Sequence, residues 1–218
     1  MADRPSIIPA EIAAYIGAHS AAPDKVLRDL QRRTAELGRA ATMQVSGEEG
    51  ALLTMLTRLV GAANAVEVGT FTGYSSICIA RGLAPDGRLL CCDVSEEYTA
   101  LARDAWAAAG LDDRIELRIA PAVDTLRALP TDASIDLAFI DADKPSYTAY
   151  YDELVPRLRV GGVVLVDNTL WSGRVADPAA EDENTVAIRA FNDHVTADER
   201  VDSCILPVSD GLTLIRKR

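Results

Sequence analysis

Along the first sixty residues the apolar positions recur at helical spacing. Residues 9–19 and 23–40 read as two helices, separated by Ala21-Ala22-Pro23. Ser46-Gly47-Glu48-Glu49 has the form of a capping box, with Ser46 as N-cap and Glu49 at the third helical position. Behind it Leu52, Leu53, Leu56, Leu59 and Val60 form one apolar stripe. From residue 64 the texture changes to short apolar runs alternating with helical patterns. Ala65-Val66-Glu67-Val68 reads as a first strand, followed by a helix near 73–82. Pro85-Asp86-Gly87 is a turn, and residues 88–92 read as a second strand. Ser95 caps the next helix, whose buried face is predicted as Tyr98, Leu101, Ala102, Ala105 and Ala109. Ile115, Leu117 and Ile119 alternate in a third strand. Residues 135–140 read as a fourth and 163–166, after Gly161-Gly162, as a fifth.

Strand–helix alternation of this kind predicts right-handed crossovers and an α/β fold, a parallel sheet with helices on both faces. The end of the chain departs from it. Residues 203–208 and 212–215 are joined only by Ser209-Asp210-Gly211, too short a link for a parallel crossover, so an antiparallel hairpin is expected. A parallel sheet ending in a hairpin differs from the plain dinucleotide-binding fold and points to the methyltransferase variant, Rossmann-like in architecture. One domain over 1–218 is expected, with 1–62 as a helical extension and lid and 63–218 as the α/β core.

Composition narrows the partners. The 33 acidic and 22 basic residues give a formal net charge of −11, which argues against nucleic acid or an anionic membrane surface. There is no run of about eighteen apolar residues to cross a membrane. The opening MADRPSIIPAEIAAYIGAHS has acids and prolines where a signal peptide needs an unbroken apolar stretch. Cys78, Cys91, Cys92 and Cys204 are not in C-x-x-C spacing, and with His19 and His194 as the only histidines a zinc site is not expected. A cytoplasmic location with reduced thiols follows.

Open parallel sheets bind ligands beyond the C-terminal ends of their strands. After the first strand comes Glu67-Val68-Gly69-Thr70-Phe71-Thr72-Gly73-Tyr74-Ser75, whose glycines allow close backbone approach to a ligand. It lacks the G-x-G-x-x-G pattern of a pyrophosphate cradle. Asp93 ends the second strand about twenty-five residues after Gly69, near the distance at which an acid accepts from ribose hydroxyls; the plainer reading is a turn residue ahead of the Ser95 cap. The fourth strand ends in Phe139-Ile140-Asp141-Ala142-Asp143-Lys144 and the fifth in Val166-Asp167-Asn168-Thr169-Leu170-Trp171. Asp141, Asp167 and Asn168 would offer three hard oxygen donors at neighbouring strand ends, a set suited to Mg²⁺, Ca²⁺ or Mn²⁺.

The segments FTGYS, FIDADK, DNTLW and LPVSDGLTL resemble those of the cation-dependent O-methyltransferases, the group of caffeoyl-coenzyme A and catechol O-methyltransferases. The resemblance runs from Met43 to the end of the chain. It implies a seven-stranded sheet of order 3-2-1-4-5-7-6, S-adenosylmethionine as methyl donor, and a homodimer. It also implies that Asp141, Asp167 and Asn168 hold the metal. Val45, Glu67, Gly69, Thr70, Ser75, Asp93, Ala122 and Asp141 would bind the donor. Lys144 would be the general base, with Asp141 beside it among the catalytic groups and Asp143 and Trp171 at the acceptor. The chain departs from plant relatives after DNTLW, where arginine and tyrosine residues grip a coenzyme A ester. Here residues 172–183 are acidic and lack tyrosine, which favours a small catechol-like phenol, and Arg174 reads as a salt-bridge residue of the loop. Two other readings stay open from the residues alone: a nicotinamide-dependent oxidoreductase, or a donor- and metal-binding module without catalysis.

Overall fold

The computed structural model describes residues 8–218. Three N-terminal helices precede the alternation: α1 (Ala10–His19), α2 (Lys25–Ala35) and α3 (Gly47–Val60). The core then runs β1 (Asn64–Val68), α4 (Tyr74–Gly82), β2 (Arg88–Asp93), α5 (Glu96–Ala109), β3 (Ile115–Ile119), α6 (Ala122–Arg127) and β4 (Ile135–Ile140). It closes with α7 (Tyr147–Leu154), β5 (Leu158–Val166), α8 (Glu183–Ala197), β6 (Val201–Leu206) and β7 (Leu212–Lys217). The sheet order is 3-2-1-4-5-7-6. β1 to β5 are parallel, and β7 runs antiparallel to both β5 and β6; the strand expected over 203–208 ends at Leu206, so the link is residues 207–211, still too short for a crossover.

Successive strand residues point to opposite faces, and this divides the core in two. Ala65, Leu89, Cys91, Leu137, Phe139 and Leu165 face α2 to α5. Val66, Val68, Cys92, Ala138, Ile140 and Val166 face α6 to α8. Buried on both faces, the central strands read as the near-continuous apolar runs of the sequence. α4 is the most enclosed helix, with α3 lying across it. A Cβ at Gly50 would stand 2.7 Å from the Tyr74 ring and 2.8 Å from Cys78 Sγ, and one at Gly82 would stand 2.6 Å from Thr57. Those two glycines let the helices approach closely, and so fix where the N-terminus of α3 lies.

Several boundaries differ from the sequence reading. The helix expected over 23–40 begins at Lys25, where Asp24 accepts Leu27 N–H at 3.0 Å, and ends at Ala35. Gly38, left-handed at φ 64, turns the chain into a short 3-10 segment, Gly38–Met43. β5 starts at Leu158, so Gly161-Gly162 lies inside the strand. The register against β4 slips there and Gly161 has φ 75, the behaviour of a β-bulge. In α3 Leu59 is 79% exposed and Thr57 is buried. In α5 the buried face is Thr99, Ala102, Ala105 and Trp106, with Tyr98, Leu101 and Ala109 only partly covered. Among the described residues no helix is long and apolar enough to cross a membrane.

Candidate active site

Two groups of side chains meet where β1, β2, β4 and β5 end. The first surrounds the loop after β1. Gly69 has φ 90, and a Cβ there would stand 1.9 Å from the Asp141 carbonyl oxygen, so no other residue fits this loop without moving β4. Asp93 holds the loop from the other side. Its Oδ2 accepts Thr70 N–H at 2.9 Å and Phe71 N–H at 2.8 Å, and its Oδ1 accepts Ser95 N–H at 2.8 Å. A carboxylate offers about four acceptor positions, so capacity for a donor hydroxyl remains.

Glu67 is fully buried beneath this loop. Burial pushes its carboxyl up to about 8, against the opposing effect of the Ser75, Cys91 and Thr70 side chains that face it. Its Oε2 accepts from Cys91 Sγ at 3.3 Å, while Oε1 has no hydrogen-bond partner among the described residues. An orphaned buried carboxyl oxygen at a glycine loop fits a ligand that brings a cation or a hydrogen-bond donor. Ser75 and Ala122 are also buried, at the starts of α4 and α6, and Val45 packs in the core cluster next to the Ser46 cap.

The second group lies at the ends of β4 and β5. Lys144 is 8% exposed, and its Nζ donates to Asp141 Oδ1 at 3.1 Å, the Ala142 carbonyl at 3.0 Å and the Tyr147 hydroxyl at 2.7 Å. Tyr147 in turn donates to the Asp167 carbonyl at 3.1 Å. Asn168, left-handed at φ 59, places its N–H 2.7 Å and its Nδ2 3.1 Å from the two oxygens of the Asp167 carboxylate. The Trp171 ring lies over Lys144, its centroid 5.7 Å from Nζ. Asp143 is committed to α7, accepting from the hydroxyls of Ser146 and Tyr150. Thus Asp141, Lys144, Asp167, Asn168 and Trp171 come together, and Asp143 does not turn towards them.

Glu49 joins this second group, which the sequence did not indicate. Half of the capping box is present: Ser46 Oγ accepts Glu49 N–H at 3.2 Å, while the Glu49 carboxyl keeps one oxygen without a hydrogen-bond partner among the described residues. The same carboxyl reaches Ser209 and Asp167. Burial, and then the charge of Asp141, push Glu49 up to about 7. Burial, then Glu49 and Asp141, hold Asp167 well above the usual carboxylate range, opposed by Lys144. Three acids turned on each other around one lysine are an arrangement that a dication would relieve. They do not make a three-acid cage: among the described residues no group of three or more His, Cys, Asp or Glu side chains is arranged to hold an ion. The donor set that fits is two carboxylates and the Asn168 amide oxygen, all hard oxygens. The only sequence signal for Glu49 was the capping box, which explains an acid at that position without any site.

The loop after Trp171 is pinned from outside. Arg174 pairs with Asp182 at 2.5 Å and reaches Thr185, so it is engaged at the start of α8. Arg189 donates to the carbonyls of Val175, Ala180, Arg174 and Asp177. A separate depression at the opposite end of the sheet holds Arg88, Arg114 and Arg118. Arg114 there is spent on the Gly87 and Ala84 carbonyls and Arg118 on Glu116, far from the strand ends that carry chemistry.

The sheet order, the glycine loop after β1 and the acid ending β2 define the class of S-adenosylmethionine-dependent methyltransferases. Residues 17–218 match the family model described as O-methyltransferase. The chain is 40% identical over 210 residues to probable caffeoyl-CoA O-methyltransferase 2 of Dictyostelium discoideum, covering 94% of this chain and 91% of that one. It is 36% identical over 206 residues to catechol O-methyltransferase domain-containing protein 1 of Mus musculus, covering 93% and 78%. The solved O-methyltransferase TomG of Streptomyces achromogenes, in complex with S-adenosylmethionine, superimposes with a TM-score of 0.86 at 31% identity, covering 95% and 96%. The chain belongs to the O-methyltransferase family and is an S-adenosylmethionine-dependent O-methyltransferase of the caffeoyl-CoA O-methyltransferase type. The oxidoreductase and non-catalytic readings fall with that membership.

Proposed function

We propose that this enzyme requires a divalent cation and methylates one hydroxyl of a small phenol bearing two vicinal hydroxyls. The observation that carries the reading is the convergence of buried Glu49, Asp167 and Lys144 with partly exposed Asp141, with Asp167 held well above the usual carboxylate range. Asp141, Asp167 and Asn168 would hold Mg²⁺, or Ca²⁺ or Mn²⁺. When bound, the ion supplies charge that makes an acceptor hydroxyl more acidic and a template for two adjacent oxygens.

The chain's own residues do the rest. Lys144, having first given up a proton to solvent, accepts that of the reacting hydroxyl, its nitrogen held in place by Asp141, Ala142 and Tyr147. The acceptor oxygen bonds to the methyl carbon as the carbon–sulfur bond breaks, and S-adenosylhomocysteine leaves. Glu67, Gly69, Thr70, Ser75, Asp93, Ala122 and Val45 bind and orient the donor, with Asp141 between donor and acceptor. Trp171 walls the acceptor side and excludes water. Asp143 supports α7 in this reading, where its bonds to Ser146 and Tyr150 hold it.

Acceptor choice follows from chelation. Held by Asp141, Asp167 and Asn168, the ion would supply a template for a pair of vicinal oxygens. A lone hydroxyl leaves the ring free to swing, and a displacement of about 1 Å can cost about 10²-fold in rate. The loop residues Glu181, Asp182 and Glu183 are negative, which disfavours coenzyme A esters by like-charge repulsion. Caffeic acid is therefore expected to be methylated, p-coumaric acid not, and caffeoyl-coenzyme A poorly. Side-by-side kcat/KM values with Mg²⁺ and with excess EDTA test this. Turnover that survives EDTA, or equal rates on the monohydroxy compound, would refute it.

We further propose that the chain acts as one domain, in the cytoplasm, as a homodimer, with neither nucleic acid nor membrane as partner. Helix α1 supports the dimer: it has no buried residue, and Ile12 and Tyr15 are 47% and 63% exposed. Light scattering should report twice the mass of the chain; a monomer at micromolar concentration refutes this.

A further inference from the structure

The turn between β6 and β7, Ser209–Asp210–Gly211, carries groups that neither donor nor metal binding uses. Asp210 is 1% exposed. Its Oδ1 accepts the Ser172 N–H and its own carbonyl accepts the Leu170 N–H at 3.0 Å. The next carbonyl, of Gly211, accepts Thr169 N–H at 3.0 Å and the Thr169 hydroxyl at 3.1 Å. The turn is seated against Leu170 so closely that a Cβ on Gly211 would stand 2.5 Å from Leu170 Cγ. The tie is therefore built along the whole segment that leads from Asn168 to Trp171.

That segment needs holding. Trp171 and Ser172 both lie in the left-handed region, at φ 46 and 53, which residues with a Cβ rarely adopt. Strain of this sort persists only where surrounding groups over-determine it. The Ser172 N–H is the backbone donor that a side chain captures, and Trp171 is the ring set across Lys144. A purely structural hairpin tie would be complete with the carbonyls of Asp210 and Gly211. A buried carboxylate adds a cost, since its Oδ2 has no hydrogen-bond partner among the described residues.

We propose that Asp210 is a positioning residue of the acceptor site: through the Ser172 N–H it locks the left-handed turn that stands Trp171 across Lys144. The proposal deepens the acceptor reading above and rests on it, because Trp171 matters for specificity only if the acceptor ring packs there.

Fluorescence separates the two. The chain has two tryptophans, and Trp106 is buried at 3% exposure with its Nε1 bonded to Ser76, so acrylamide quenching reads Trp171 over a constant background. Asp210→Ala should raise the quenching of Trp171 and raise KM for caffeic acid about tenfold, an effect of the size of one lost contact. kcat should change less, and the affinity for S-adenosylhomocysteine should stay the same. Asp210→Asn keeps an oxygen for Ser172 and should restore both readouts. Unchanged quenching and KM in Asp210→Ala would overturn the proposal, as would parallel loss of donor affinity, which marks a general structural role. Should Asp210→Ala not fold, amide hydrogen exchange on the unaltered protein decides. Ser172 is an exposed residue, so protection of its N–H by about a hundredfold or more supports the lock, and exchange at the free-peptide rate overturns it. Quenching and exchange need no acceptor, so a wild-type enzyme inactive on vicinal diols would refute the acceptor reading while leaving this test intact.

Discussion

The donor loop and the acceptor cluster sit side by side at the same strand ends and are held by different physics. The donor loop is satisfied by its own backbone. Asp93 gathers three N–H groups, Gly69 packs on the Asp141 carbonyl, and the open demands in this region are one oxygen of Glu67 and the Thr70 hydroxyl. The acceptor cluster sets Glu49, Asp141 and Asp167 against each other, with Lys144 as the cation between them. The first region is shaped before any ligand arrives; the second crowds acids together, so that burial and mutual repulsion hold Glu49 and Asp167 above the usual carboxylate range. The difference teaches that one can be disturbed without the other.

The sharpest test of that separation is Asp167→Ala. Turnover should vanish and Mn²⁺ binding by calorimetry should be lost, while S-adenosylhomocysteine affinity survives. If donor affinity falls as far as metal affinity, the two regions are one unit. Lys144→Met keeps the stem and removes the amine; a positioned base contributes about 10²–10⁴-fold to rate, so kcat should drop by that factor with donor affinity unchanged. The deficit should shrink as pH rises and the acceptor ionises unaided. A small loss that is the same at every pH would leave Lys144 as an anchor of α7 only.

A smaller effect is expected on the donor side. Asp93→Ala removes both a partner for ribose hydroxyls and the anchor of Thr70 and Phe71. S-adenosylhomocysteine should bind at least about tenfold more weakly, the loss of about 1.4 kcal/mol, with Mn²⁺ affinity intact; equal donor affinity would return Asp93 to a turn residue.

The last effect concerns stability. The Glu67 carboxyl stands at about 8 in the fold, raised by burial. Between its ordinary value and that one, the folded chain keeps a proton that the unfolded chain has released. Stability of the ligand-free enzyme should therefore fall as pH rises through that window, by at most about 1.4 kcal/mol per pH unit, and level off above it. Glu49 acts with the same sign up to about 7, so the comparison with Glu67→Gln isolates the share of Glu67. Thermal melts from pH 5 to 9 with the same slope for both proteins would show that Glu67 does not carry this penalty.

What the sequence determined by itself is what short-range chemistry determines. Short apolar runs named the central strands because strands buried on both faces carry apolar side chains almost throughout, and period-two alternation named β3. The short link before Leu212, three residues in the sequence reading and five in the structure, forced the antiparallel hairpin because no crossover fits so short a chain. Asp141, Asp167 and Asn168 were legible as a group because the ends of parallel strands lie on one edge of a sheet. Element limits were less so: Gly38 ended α2 early, and Gly161-Gly162, placed ahead of the fifth strand by the sequence pattern, became a bulge inside it once paired with β4. Only the tertiary structure decided the rest. Glu49 bonds to the Ser46 cap wherever α3 lies, and it reaches Asp167 only because Gly50 and Gly82 let α3 settle tightly on α4. Asp143 sits beside Asp141 in sequence yet bonds to Ser146 and Tyr150, because the chain turns into α7 there. Asp210 stands 38 residues from Ser172, and their bond exists because β7 pairs with β5. Contacts between distant segments depend on how helices and strands pack, and local pattern carries no record of that.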